Sequence, residues 1–510
     1  MNMRSYAPTQ FVRLRQWRTF VPLTALSTLS AVISLAVVSG GQILRGVMLG
    51  GAVWLLALPL LYSLETGLLA LMLFEPLRGF LRRAQFIFVE YTTTDPIHVV
   101  TPLLTVLAFT ILLWKRRERI FVTRPLGLPV SILAVCFFIQ IFNPFQGGLF
   151  VGLSGAMFIL LPTAWFYFGG AMKTELMTTA LRLIVMMGLI GSMHGLYQIM
   201  VGYPEFETYW IKNTDHYESI AVGNVTRAIA TFNSAEEWGR YAQFGALIAF
   251  GFALGTKHFL RRLGWVLAGL ALCGVLIISG QRSSIFGLLF GLATFVLMGA
   301  RNWRVAIGRG VMMVGVALVI TLVVKPPSEA DMWNKSKDDK VGTMLSHTAR
   351  GTLQPTKEGS VEDRFSIWTK LLTKMVPSRP FGSGLGAGTV SAMRYAGVED
   401  PIDSFFLVLV VGCSFPVAIL FFWILVRATT ISIRNFKQAL PEAPEATVRR
   451  IVAALMLMLF LNSIFGLTFS IYSTAPIGWM VIGWVCAEAA RDEQWLQSIL
   501  TDTPTTEFVR

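Results

Sequence analysis

The stretch DSFFLVLVVGCSFPVAILFFWILVR, residues 403–427, carries no charged side chain between Asp403 and Arg427. A helix rises 1.5 Å per residue, so a run of this length covers the roughly 30 Å hydrocarbon layer of a bilayer. Working outward, the run repeats: further apolar stretches occupy residues 20–39, 44–61, 63–77, 98–114, 127–143, 149–169, 178–200, 241–256, 263–280, 283–300, 304–324, 449–471 and 474–490. The expected fold is an all-α polytopic membrane protein of about 12–14 transmembrane helices. "LYSLETG" between the second and third runs reads as a tight turn or a kink, which sets that range. The runs do not alternate polar and apolar residues, so a barrel is excluded.

Composition agrees. The 510 residues are 54% hydrophobic and 14% charged, with a mean hydropathy of +0.62. Too little polar surface remains to cover a soluble globule. The net charge of +14 sits mostly in short loops rather than in one patch, which speaks for topology and against a nucleic-acid partner. Cys136, Cys273, Cys413 and Cys486 all fall in apolar runs and read as small core residues. Arg4, Arg13, Arg15 and Arg18 precede the first run, which lacks a small-x-small cleavage signal and so reads as an uncleaved span.

Lysine and arginine in short loops orient the chain. "KRRERIFVTR" (115–124), "KHFLRR" (257–262), "RNWRVAIGR" (301–309) and the loop from Arg427 to Arg450 fall on one side, taken as cytoplasmic together with both termini. The domain reading is then 1–201 N-terminal transmembrane helices, 202–240 an outer loop, 241–324 further transmembrane helices, 325–402 a large periplasmic loop containing short helices, 403–490 C-terminal transmembrane helices, and 491–510 a cytoplasmic tail. The 325–402 loop holds eleven Lys/Arg against nine Asp/Glu, a balance compatible with translocation. "PLRGFLRRAQ" (76–85) breaks the pattern by putting Arg78, Arg82 and Arg83 outside. A miscounted third span is the favoured explanation; a role for those arginines outside is the other.

Within the large loop, "EDRFSIWTKLLTKMVPSRPFGSGLGAG" (362–388) places Phe365, Ile367, Trp368, Leu371, Leu372 and Met375 at helical spacing. It reads as an amphipathic helix in the headgroup region that stops at Pro377, followed by a flexible glycine turn.

Arginines on the outer side are the informative chemistry. Arg227 and Arg240 lie in "GNVTRAIATFNSAEEWGRYAQ" (223–243), Arg282 in "LIISGQRSSIFGLL" (276–289), and Arg364 in "VEDRFSIW". Guanidinium groups are permanently charged, and their planar fork suits phosphate oxygens. Three segments thus bring candidate donors to the depth of a lipid diphosphate. Each residue also has a plainer reading. Arg282 can anchor its span by snorkelling, Arg227 and Arg240 can pair with Glu236 or Glu237, and Arg364 can pair with Asp363. Asp403 is either an N-cap or a base that takes a proton from a sugar hydroxyl. "GSGLGAG" lacks the flanking strand and Gly-Lys-Ser/Thr of a nucleotide loop, and no histidine has metal-ligand spacing. No metal and no cofactor are expected. A lipid or solute transporter would show ionisable residues deep in spans and repeat symmetry, and neither is visible in the sequence.

The order of these motifs resembles the O-antigen ligase/polymerase superfamily of membrane glycosyltransferases, the Wzy and WaaL types. "TRAIATFNSAEEWGRYA" is similar to that family's Arg-x-x-Gly-Thr-Phe-x-Asn-Pro-Asn outer loop, and "SGQRSSIFGLL" to its Ser-x-Ser-Arg-Ser/Thr span start. "EDRFSIW…FGSGLGAG" is similar to its Arg-x-x-x-Trp…Pro-x-x-Gly-x-Gly-x-Gly segment, and "PIDSFFLVLVVG" to its His-Asn or Asp-Asn span start. The likeness covers about residues 220–425. It implies a GT-C-like fold and transfer of a glycan from undecaprenyl diphosphate to a hydroxyl acceptor at the periplasmic face of the inner membrane, inverting and without a metal. Arg227, Arg282 and Arg364, with Arg240 beside them, would hold the donor diphosphate. Asp403 would be the catalytic base and Arg282 would stabilise the leaving group. Expected partners are the undecaprenyl-diphosphate-linked oligosaccharide, a glycan acceptor, membrane lipids, a flippase and a chain-length regulator. Two departures matter: Ala230 stands where the family has Gly, and Ile402-Asp403-Ser404 lacks the histidine of ligases. The second favours a polysaccharide (O-antigen or exopolysaccharide) polymerase over an O-antigen ligase.

Overall fold

The computed structural model describes residues 43–92, 95–115, 125–214, 221–222, 225–298, 359–389, 402–438 and 444–501, with a few residues between 304 and 348. The expected span 20–39, with the arginines before it, and nearly all of 304–324 lie outside the described residues.

The other expected spans are helical, with 403–427 divided between two helices. In chain order these are α1 (Ile43–Tyr62), α2 (Leu64–Ala84), α3 (Ile97–Lys115), α4 (Gly127–Gln140), α5 (Leu149–Ala171) and α6 (Thr174–Met200). The short α7 (Glu205–Asn213) is followed by α8 (Ala235–Gly255), α9 (Phe259–Ile278), α10 (Arg282–Met298) and the loop helix α11 (Gly359–Lys370). The chain closes with α12 (Phe405–Gly412), α13 (Phe415–Gln438), α14 (Pro444–Phe465) and α15 (Ala475–Thr501). Among the described residues, seven helices are long and apolar enough to cross a membrane. The fold is an all-α polytopic membrane protein; a two-residue β pair, Ala221–Val222 with Val225–Thr226, is the exception among the described residues.

Helix ends alternate between two faces. One carries the short basic connections and is here the basic-loop end. The other, the long-loop end, carries the described residues 201–214, 225–234, 279–281, 359–389, 402–404 and 466–474. Glycines set the closest helix approaches: a Cβ on Gly169 would overlap the Met480 backbone, and one on Gly483 the Phe166 backbone, so α5 and α15 cross at backbone contact. At the basic-loop end Arg449 clamps Glu488 (2.8 Å) and Asp492 (2.9 Å) on α15.

Three expectations change. First, α2 is one continuous helix through Arg78, Arg82 and Arg83, so the helix runs longer than the apolar stretch expected for the third span. Ser63 caps it and separates it from α1 by one residue. All three arginines are buried, and so is Glu75, 3.1 Å from Arg78. This span therefore does contain interior ionisable groups, held in oppositely charged pairs.

Second, the run 403–427 is not one helix. It breaks at Cys413–Ser414, where Ser414 adopts φ 122°. Pro416 explains the break: it has no N–H to give the Gly412 carbonyl and its ring would collide with it. The carbonyls so released find other donors, Val411 O accepting from Ser383 N–H (2.8 Å) and Gly412 O from Gly384 N–H (2.9 Å).

Third, the glycine stretch is not a flexible turn. Residues 382–387 are buried, and Leu385 N–H also donates to Gln140 O at the end of α4 (3.1 Å). Gly386 must lack a side chain because a Cβ there would overlap the Val151 carbonyl. The segment is a strap that caps two broken helix ends. The helical path before it also runs on through a π turn (Leu371–Met375) to Ser378, one residue past the expected stop. Proline is tolerated there because it occupies the first turn of the final helical piece.

Candidate functional site

At the long-loop end, the segment that follows Arg227 is fixed by side chains from the N-terminal half. Arg83 donates from Nε to Glu207 Oε1 (2.8 Å) and from its two terminal nitrogens to the carbonyls of Phe232 and Ala230. Gln198 accepts from the amides of Ile229 (3.0 Å) and Ala230 (2.8 Å) and donates to Glu207 Oε2 (2.8 Å). His194 Nε2 lies 3.1 Å from the same carboxylate. Burial pushes the Glu207 carboxyl up, but the bonds from His194, Arg83 and Gln198 and the Arg83 charge outweigh it and hold the group below its ordinary value. Tyr203 donates its hydroxyl proton to the Arg227 carbonyl. Gly79 is pressed against the Phe232 backbone, where a side chain would not fit.

The loop closes into α8 through a capping arrangement. Ser234 Oγ accepts from Glu237 N–H (3.1 Å), and Glu237 reaches back to Asn233 N–H (3.0 Å). Ala230, at the family's glycine position, sits in the left-handed region with φ 53°.

Of the expected site residues, Arg227 is half-buried at the start of this tethered loop. Arg282 is the first residue of α10, after a turn in which Gly280 has φ 73°. That turn packs on α8: a Cβ on Gly239 would meet Ser279 Oγ at 2.7 Å and the Gln281 side chain at 2.8 Å. Asp403 precedes α12 and is half-buried. It is not the N-cap; Ser404 takes that role, accepting from Leu407 N–H (3.4 Å). Phe405 N–H donates to Gly466 O (3.0 Å), and Gly466 lies directly against the Arg240 guanidinium. The backbones bearing Arg240, Arg282 and Asp403 are thereby linked through Gly239, Gln281 and Gly466. Arg364 lies on α11, the loop helix; Leu371 in the following turn is buried.

Arg240 is 1% exposed, donates from two nitrogens to Glu236 Oε1 (2.9 and 2.7 Å) and from a third to Thr468 Oγ1 (3.2 Å). This geometry realises the ion-pair reading of that residue and makes it a brace between α8 and the 466–474 loop.

Arg83 is singled out from the sequence only as an outward charge, and Glu207, Gln198 and His194 are not singled out as site residues. The available signals were the outward arginines of "RGFLRR" and the i, i+4 pair His194/Gln198 on one face of α6.

Residues 266–406 match the Wzy_C family, described as O-antigen ligase. That segment contains Arg282, Arg364 and Asp403. The match supports the resemblance to the O-antigen ligase/polymerase superfamily over that segment. Comparison with curated proteins gives no match.

Proposed function

We propose that the chain is an inner-membrane glycosyltransferase that extends a polysaccharide at the periplasmic face, using an undecaprenyl-diphosphate-linked donor. The observation that carries the reading is the linkage, at one end of the bundle, of the α8 start, the Arg282 turn and the Asp403 helix start. Arg227, Arg282 and Arg364 bind the donor diphosphate. Arg282 opens a helix, whose dipole adds to the positive potential that attracts an anion.

In the proposed reaction an acceptor hydroxyl oxygen attacks C1 of the donor sugar. The C1–O bond to the diphosphate breaks with inversion. The hydroxyl proton passes to the Asp403 carboxylate, and undecaprenyl diphosphate leaves with its new charge held by the guanidinium groups. Arg240 braces the 466–474 loop rather than touching phosphate, and no metal takes part. A flippase would deliver the donor, and a chain-length regulator would set product size.

The test is turnover of a labelled lipid-linked oligosaccharide by purified protein. Arg282→Ala or Arg364→Ala should lower it by about 10²–10³-fold with the fold retained. Full activity in either variant removes that residue from the site. A second reading, transfer of a finished glycan to a lipid or protein acceptor, is favoured by the matched family's description as O-antigen ligase. Product length separates the two: a polymerase yields ladders of repeats, a ligase one transfer per acceptor.

A further inference from the structure

A groove of about 560 Å³ opens on the lipid-facing side between α6 and α9, at the basic-loop end, far along the bundle from the proposed active site. Met186, Leu189 and Trp265 line its walls, Gly264 leaves its floor open, and Arg182 and Arg261 stand at its mouth. α9 is the least buried of the seven candidate spans, at 22%.

Its two charges are placed differently. Arg261 is in the first turn of α9, next to exposed Lys257 and Arg262 in the basic connection. Arg182 is eight residues into α6, about 12 Å from the helix start. There it lies over the Phe252 ring (5.6 Å to the centroid), and Phe252 in turn stacks on Trp265 (4.9 Å between centroids). A guanidinium resting on this aromatic pair keeps its N–H edge open to a ligand. Among the described residues neither arginine forms an ion pair with a carboxylate. An apolar slot topped by two such cations, on the side where short loops are basic, complements one class of molecule: an anionic phospholipid of that leaflet, headgroup at the arginines and one acyl chain in the slot.

We propose that this groove is a binding site for an anionic phospholipid, distinct from the lipid-diphosphate site at the other end of the molecule.

The full chain, purified in mild detergent, is titrated with phosphatidylglycerol and, separately, phosphatidylcholine, and bound lipids are counted by native mass spectrometry. Phosphatidylglycerol should bind and phosphatidylcholine should not. Arg182→Gln with Arg261→Gln should weaken phosphatidylglycerol binding by about 30-fold. Gly264→Phe should block the slot with all charges kept, since a Cβ at Gly264 meets nothing within 4 Å and the variant fits the fold. Arg427→Gln, which removes an exposed arginine elsewhere on the basic-loop end, should change nothing. Equal binding of both lipids, an equal loss in Arg427→Gln, undiminished binding in the double variant or in Gly264→Phe, or displacement by excess inorganic phosphate would each overturn the proposal. Should the double variant fail to fold, Gly264→Phe decides alone. Glycan transfer is not the readout, so the result stands apart from the proposed activity.

Discussion

Two stretches of non-helical backbone are buried at the long-loop end, and they are held by opposite means. The loop after Arg227 is held by side chains: Arg83 answers its carbonyls and Gln198 its amides, with Glu207 neutralising the buried guanidinium. The 382–387 strap is held by main chain, its amides bonding to carbonyls that α12 and α4 leave open at their ends. Buried backbone groups require partners in either case. The difference lies in what breaks each one. The first is vulnerable to loss of a charge, the second to addition of a methyl group.

The largest effect is expected at Arg83. Replacing it with Leu leaves Glu207 buried without its arginine counter-charge, removes the donor to the Phe232 carbonyl and leaves the Ala230 carbonyl to Gln198 alone, which should cost about 3–5 kcal/mol. Thermal unfolding of the purified protein measures it. Adding Glu207→Leu to the same chain should recover part of the loss, because the stranded carboxylate is then gone. A single variant as stable as the parent would mean that the loop does not depend on the charge.

The strap supplies the opposing case. Gly386→Val adds side-chain atoms where the Val151 carbonyl already sits, and should destabilise by about 1–3 kcal/mol without altering any charge. Salt tests the contrast again: neither buried arrangement should respond strongly, since screening acts on exposed pairs. If Gly386→Val proved neutral, the strap would have room to move and the flexible-turn expectation would return.

These two regions also mark what was legible in the sequence. The helices were, within the described residues, because the apolar runs there are long enough to be read as helices, and seven of those helices are long and apolar enough to cross a membrane. The break in 403–427 was written in "CSFP", but hydropathy averages over a proline and sees one run. The glycines announced a close approach, yet nothing local says that the approaching group is a helix carbonyl rather than a substrate. Arg83 was noticed as an outward charge and its partner was not, because Glu207 is 124 residues away. The candidate site residues Arg227, Arg282, Arg364 and Asp403 stand out in the sequence as residue types at motif spacing. Which arginine is already paired, as Arg240 is with Glu236, depends on rotamers and on a loop 228 residues distant.

The smallest effect tests the side-chain-held loop from within. Ala230 has φ 53°, a conformation that costs a residue with a Cβ about 1–2 kcal/mol relative to glycine. Three bonds hold it there: its amide donates to Gln198 Oε1 (2.8 Å), and its carbonyl accepts from Arg83 and from Gln198 Nε2 (3.3 Å). Ala230→Gly removes the strain but also frees the unfolded chain, which offsets roughly 0.5–1 kcal/mol. A net gain of up to about 1 kcal/mol should therefore appear in thermal unfolding. In an Arg83→Leu background one of these three bonds is lost and Gln198 alone holds the left-handed turn, so the gain from glycine should shrink. A gain of equal size in both backgrounds would mean that the turn is set by the local chain, and that the side-chain clamp merely follows it.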